Sequence, residues 1–224
     1  MVEVCALVPA GGIGTRLGHR VPKQFLRVSG VSILVATVRR LRRLPALSAV
    51  VVAAPEAYIV RTRRLLGAGG RRAPITVVPG GPTRQESVWR ALQAAPATAD
   101  IVVVHDAVRP FITRALLQAV VTAAAEAGAA ICALPVTETV KRVRDGFVED
   151  TVDRDGLWSV QTPQAFRAAL LREAHDKARR DGIVGTDDSM LVERLGHRVR
   201  VVPGVAGNVK ITTPHDLRRA RSRG

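Results

Sequence analysis

Val4-Cys5-Ala6-Leu7-Val8-Pro9, followed at once by Ala10-Gly11-Gly12-Ile13-Gly14-Thr15-Arg16-Leu17-Gly18, is the stretch that decides the fold. A short unbroken apolar run that ends in turn residues reads as a strand buried on both faces. Glycines directly after it let the backbone approach an anion and turn N–H groups toward it. Two loop types can be tested. A P-loop would end in Gly-Lys-Ser/Thr, which is missing. A dinucleotide loop would space its glycines as GxGxxG, but Leu17 stands at the last position. The next apolar run ends in Ala53-Ala54-Pro55, with no acidic residue for a ribose. What remains is a phosphate cradle with Arg16 inside it and Lys23 just beyond. Such cations would stabilise charge that develops in phosphoryl or nucleotidyl transfer. The alternative is a tight strand-to-helix turn with surface cations.

Further Val- and Ile-rich runs follow at 48–54, 74–79, 100–105 and 129–135, and each reads as a strand. Helical patterns lie between them. Over 31–44, Val31, Leu34, Val35, Val38 and Leu41 share one face, and arginines crowd the other. Over 114–127, Thr113 is the expected N-cap and Gly128 the stop. The alternation predicts an α/β fold: a Rossmann-like, mostly parallel sheet with helices on both faces, forming one domain over 1–224. Ligands in such sheets bind at the carboxyl ends of strands. The rhythm breaks at about 136–160. There Thr139–Val143, Asp145-Gly146 and Phe147-Val148 read as a hairpin, an arm projecting from the body. Helices are expected over Pro163–Arg180 and about Asp188–Leu195. A last one starts at Thr213-Pro214-His215-Asp216, with Thr213 as cap and Asp216 closing a capping box.

The chain has 224 residues, 47% of them apolar, enough for one substantial core. No apolar run is long enough to cross a bilayer. The N-terminus lacks the basic region of a signal peptide. Cys5 and Cys132 sit in strand-like runs and read as buried thiols of a cytoplasmic protein. The net charge of +15 raises the question of a nucleic-acid partner. The arginines are scattered over helix faces, however, and only 3% of residues are aromatic, which leaves few platforms for stacking bases. Attraction to small anions is the more economical reading. Lysines stand only at 23, 141, 177 and 210, and three of these fall in the motifs below.

The run at 100–105 leads into His105-Asp106-Ala107-Val108-Arg109-Pro110. A carboxylate at the carboxyl end of a central strand can help to hold a hard cation such as magnesium, with nucleotide phosphates supplying the other ligands. Asp106 could instead cap the next turn. Arg109 could pair with a substrate phosphate or with Asp106. His105 reads as an orienting residue rather than a general base. Nucleotidyl transfer suits this inventory, because an ionised phosphate needs in-line positioning and charge neutralisation more than acid–base help.

Taken in order, the motifs resemble the 2-C-methyl-D-erythritol 4-phosphate cytidylyltransferases of the non-mevalonate isoprenoid pathway. They are Pro9–Gly12 with Arg16, Pro22–Leu26, Gly80-Gly81 with Arg84 and Ser87, and His105–Pro110. Beyond these come Thr139–Lys141, Asp153-Arg154 before Leu157-Trp158, Gln161–Gln164, Thr186–Asp188 and Asn208–Thr212. The resemblance implies that Ala10, Gly11, Gly12, Gly81, Ser87 and Ala107 hold cytidine. It implies that Arg16, Lys23 and Lys210 stabilise the pentacoordinate phosphorus and that Asp106 takes part in magnesium binding. It also implies a homodimer in which the arm reaches into the neighbouring subunit. There Thr139 and Arg154 would meet the polyol phosphate, beside Asp106, Arg109, Thr162 and Thr186. Thr162 could equally cap a helix ahead of Pro163.

The Gly11-Gly12-Ile13-Gly14 form is also similar to the ribitol 5-phosphate cytidylyltransferases, which share the cytidine half of the site. Thr139 with Lys141, and Asp153-Arg154 with Leu157-Trp158, favour methylerythritol phosphate. Gly207 stands where some relatives carry an acid, which leaves Asp106 as the expected protein ligand for the metal.

Overall fold

The computed structural model describes residues 2–12, 21–67 and 73–222. Seven strands form one sheet: β1 (Val4–Pro9), β4 (Leu47–Ala54), β5 (Ile75–Pro79), β6 (Ile101–Val104), β7 (Ala129–Pro135), β10 (Trp158–Arg167) and β11 (Arg200–Pro203). Their order is β11-β7-β10-β6-β1-β4-β5. All neighbours are parallel except β10, which runs against both β6 and β7. The chain builds outward from β1 through β4 to β5, then crosses back to pair β6 with the other side of β1. The strand order therefore reverses between β1 and β6, and a crevice opens at their carboxyl ends.

Side chains alternate across the sheet, so each strand feeds two cores. Val4, Ala6, Val8, Val50, Val52 and Val103 pack with α1 (Ile33–Leu41) and α4 (Arg114–Ala127) on one face. Cys5, Leu7, Val51, Val102 and Val104 pack on the other. That second face is covered by α3 (Arg84–Gln93), α5 (Ala168–Arg180) and α6 (Asp188–Glu193). Both cysteines are buried and unpaired, and burial pushes each thiol up to about 12. Among the described residues no helix is long and apolar enough to cross a membrane.

Local signals placed several elements. Thr113 accepts from Leu116 N and caps α4, and Gly128, at φ +89°, ends it. Thr213 and Asp216 form the expected capping box of α7 (Pro214–Arg221). The arm is a separate two-stranded sheet of β8 (Val140–Arg144) and β9 (Phe147–Val152). It turns at Asp145 and Gly146, both at positive φ. Such a pair of left-handed residues is what a two-residue hairpin turn requires.

Three expectations need correction. The helix anticipated from Pro163 begins only at Ala168, because Gln161–Phe166 lie buried in β10 between two partner strands. Thr162 is therefore a strand residue and caps no helix. The helix anticipated over 31–44 is shorter: Val31 and Ser32 form β3 against β2 (Arg27–Val28), and Ser32 caps α1. The edge strand β11 also escaped the pattern, since it is short and one-sided.

Candidate active site

The described part of the glycine-rich loop is held from two sides. Ala10 N donates to Ala53 O at 2.7 Å. The buried Gln24 donates its amide to Ala10 O at 2.6 Å and Gly12 O at 3.2 Å. Phe25 is also buried and stacks on Tyr58 at 5.1 Å. With Gln24 and Phe25 turned inward, Lys23 lines the crevice. Gly11 and Gly12 differ in role. A Cβ on Gly11 would lie 2.7 Å from Ser87 Oγ, whereas a Cβ on Gly12 would meet nothing within 4 Å. Gly11 thus allows two loops to pack together, and Gly12 leaves space toward a ligand.

The second loop follows β5. Ser87 Oγ accepts from Gly81 N at 3.0 Å and donates to Thr83 O at 3.0 Å. Gly81 has no room for a side chain, since a Cβ there would sit 2.0 Å from Glu86 Cγ. Thr83 caps α3 and presents Arg84 at the start of the helix.

Asp106 stands where β6 ends and is almost wholly buried. Its Oδ1 accepts from Arg84 Nε at 3.2 Å. Its Oδ2 lies 2.9 Å from Lys210 Nζ and 3.5 Å from Arg109 Nε. Burial alone would raise its pKa, but Arg84, Lys210 and Arg109 together hold the carboxyl far below the usual carboxylate range. Its backbone N–H donates to Thr162 Oγ1 at 3.0 Å, and that hydroxyl lies 3.2 Å from His105 Nδ1. His105 Nε2 is 3.1 Å from Arg109 O, which can only accept. The proton therefore sits on Nε2, and Thr162 donates to a bare Nδ1. Burial keeps this imidazole neutral by lowering its pKa to about 4, against the pull of the Arg109 carbonyl.

Lys210 reaches Asp106 because its segment is pinned on both sides. Asn208 donates to Thr162 O at 2.8 Å and accepts from Arg109 Nη1 at 2.7 Å through its carbonyl. Ile211 N donates to Val108 O at 2.9 Å. The result is a pocket of about 240 Å³ whose lining includes Gly12, Lys23, Arg84, Asp106, Ala107 and Lys210. It can take a flat ring between the two glycine loops and a polyphosphate over the cations.

The residues expected for cytidine (Ala10, Gly11, Gly12, Gly81, Ser87 and Ala107) all line this pocket, with Lys23, Asp106 and Lys210. Residues 4–222 match the family model of 2-C-methyl-D-erythritol 4-phosphate cytidylyltransferase. The chain belongs to that family. The enzyme of that name from Symbiobacterium thermophilum is 47% identical over 98% of this chain and 92% of its own. The one from Syntrophus aciditrophicus is 44% identical over 96% and 93%. The crystal structure of the 2-C-methyl-D-erythritol 4-phosphate cytidylyltransferase from Thermus thermophilus superposes with a TM-score of 0.83. It is 40% identical, and the match covers 99% of this chain and 98% of that one.

Within the family frame, the other expected residues divide. Arg16 lies outside the described residues. Arg109 and Thr162 are buried beneath Asp106 and brace it. Thr139, Arg154 and Thr186 are exposed and do not line the pocket of their own chain. Arg154 donates to Thr137 O at the neck of the arm. Two contributors went unassigned in the sequence: Gln24, which staples the loop, and Arg84, which joins Asp106. Both stand inside quoted motifs, so their neighbours were the available signal. Among the described residues no three His, Cys, Asp or Glu side chains cluster as a metal site.

Proposed function

We propose that this chain transfers the cytidylyl group of CTP to 2-C-methyl-D-erythritol 4-phosphate. A phosphate oxygen of the polyol attacks the α-phosphorus of CTP in line, the bond to the β-phosphate breaks, and pyrophosphate leaves. The observation that carries this reading is the crevice at the strand-order reversal, where Arg84 and Lys210 hold one ionised carboxylate and Lys23 lines the same pocket. Lys23 and Lys210, with Arg16, neutralise charge on the pentacoordinate phosphorus. Ala10, Gly11, Gly12, Gly81, Ser87 and Ala107 hold the cytidine.

One carboxylate in the pocket suits magnesium, which commonly takes one or two protein oxygens and the rest from phosphates and water. Asp106 would hold it, and the ion, when bound, neutralises the leaving pyrophosphate. Lys210 is part-exposed and can turn from Asp106 to a phosphate.

The acceptor subsite lies with the arm. In our reading the enzyme is a cytoplasmic homodimer, and each arm carries Thr139 and Arg154 to the partner's pocket, beside Arg109, Thr162 and Thr186. The exposed Phe147, Val148 and Val143 support an arm built to be covered. The test is pyrophosphate release from CTP and magnesium with methylerythritol phosphate or ribitol 5-phosphate as acceptor. Turnover is expected with the former. Turnover of neither by folded protein would refute the assignment, and preference for ribitol phosphate would refute the acceptor.

A further inference from the structure

Arg84 is shared between two carboxylates from distant parts of the chain. Its Nε faces Asp106 Oδ1 at 3.2 Å, and its Nη1 faces Asp188 Oδ2 at 2.7 Å. Asp188 is fully buried at the start of α6. Its Oδ1 lies 3.0 Å from Nε2 of His175, itself fully buried on α5. His175 Nδ1 has no hydrogen-bond partner. The imidazole is thus oriented by Asp188 alone, with Nε2 as the donor. Asp188 N donates to Gln164 Oε1 at 3.2 Å, and Gln164 donates to Asp187 at 2.7 Å. Residues of α5, α6 and β10 therefore meet at Asp188, the partner of one guanidinium nitrogen.

A guanidinium left alone with a carboxylate pairs with it through two parallel hydrogen bonds and takes both oxygens. Here Arg84 meets Oδ1 of Asp106 through Nε, while Asp188 anchors Nη1 on the other side of the group, so the plane of the guanidinium is fixed from two edges. Oδ2 of Asp106 faces Lys210 on the pocket side and Arg109 on the buried side. Buried ion pairs are weak devices for stability, since apolar residues of similar volume pack as well or better. This one instead fixes the orientation of Arg84 against Oδ1 of Asp106.

We propose that Asp188, oriented by His175, is a positioning residue for the transfer reaction, acting through Arg84 to keep Oδ2 of Asp106 directed at the phosphate site. The inference rests on the cytidylyltransferase reading for its kinetic arm only. In protein free of nucleotide and metal, the Nε–H resonance of Arg84, assigned by its loss in Arg84→Met, reports the bridge directly. Asp188→Asn is expected to shift it and speed its exchange with water about tenfold or more. An unchanged resonance overturns the proposal whether or not the wild-type protein turns over CTP.

Kinetically, Asp188→Asn is expected to lower kcat about 10- to 100-fold. The Arg84→Met/Asp188→Asn pair should fall no more than about threefold below the worse single variant. Losses that multiply, or wild-type kcat in Asp188→Asn, overturn it. Should Asp188→Asn fail to fold, Arg84→Lys decides. An ammonium cannot bridge two carboxylates in a fixed fork, so kcat should stay within about threefold of Arg84→Met. Recovery to the wild-type value overturns the proposal.

Discussion

Replacing Thr162 by valine removes one hydroxyl and almost no volume, and so isolates a hydrogen-bond relay. In the folded protein that hydroxyl accepts from Asp106 N–H and donates to His105 Nδ1, and all three residues are buried. Valine leaves a buried donor and a buried acceptor without partners, and neither site is open to water. Each orphan costs about 1–3 kcal/mol, so the sum is about 2–4 kcal/mol once partial relaxation is allowed. For a domain of this size that lowers Tm by about 5–15 °C. Thr162→Ser keeps the hydroxyl, and its expected loss is under about 1.5 kcal/mol, from one methyl group. Thermal and urea unfolding followed by circular dichroism measure both variants. Activity should follow the same order, because the relay sets the backbone that carries Asp106. Thr162→Val within about 0.5 kcal/mol of wild type, or no more stable a protein with serine than with valine, would refute the relay.

His105 gives a pH signature. Its folded pKa is lowered to about 4 by burial, against about 6.5 in the unfolded chain. Between those values the unfolded state binds the extra proton, so stability falls as pH drops. Asp106 works lower: its depressed pKa stabilises the fold above about 3.9 and is lost only below that. From pH 7.5 to 4.5, urea unfolding should show wild type losing about 2–3 kcal/mol more than His105→Gln; equal losses would contradict the burial argument. Gly81→Ala would force a Cβ to within 2.0 Å of Glu86 Cγ and displace the second loop, so the KM for CTP should rise about tenfold or more, and unchanged kinetics would show the loop yielding freely. Arg154→Ala should raise the KM for the polyol phosphate while sparing CTP binding by calorimetry, and equal loss of both would remove Arg154 from the acceptor subsite.

The strands that could be read from sequence are those whose residues serve packing alone. Val4–Pro9 and, apart from Ser48, Leu47–Ala54 are apolar because both faces are covered. Caps were equally legible, since Thr113 and Thr213 act within three residues of themselves. β10 was not. Gln161, Thr162 and Gln164 turn polar groups to Asn208, Asp106 and Asp187, so functional contacts erase the apolar pattern that marks a buried strand. Asp106 could be found because its place at a strand end is local information. Its dependence on Arg84, and that of Arg84 on Asp188, could not: the last two lie 104 positions apart and are joined only by the packing of α3 against α5 and α6.

The reversed direction of β10 has a consequence beyond its hydrogen bonds. β7 and β10 are antiparallel neighbours, so the chain leaves the sheet after Pro135 and re-enters at Trp158 on the same rim. Val136 N and Leu157 O close that doorway at 3.0 Å. Everything between is an appendix hung on a hinge pin. A change in its length or sequence re-registers no strand of the main sheet, and the pocket at the strand ends stays in the frame. In the reading proposed above, rewriting this one module would alter the share of the acceptor subsite that Thr139 and Arg154 supply and leave the share on the sheet in place.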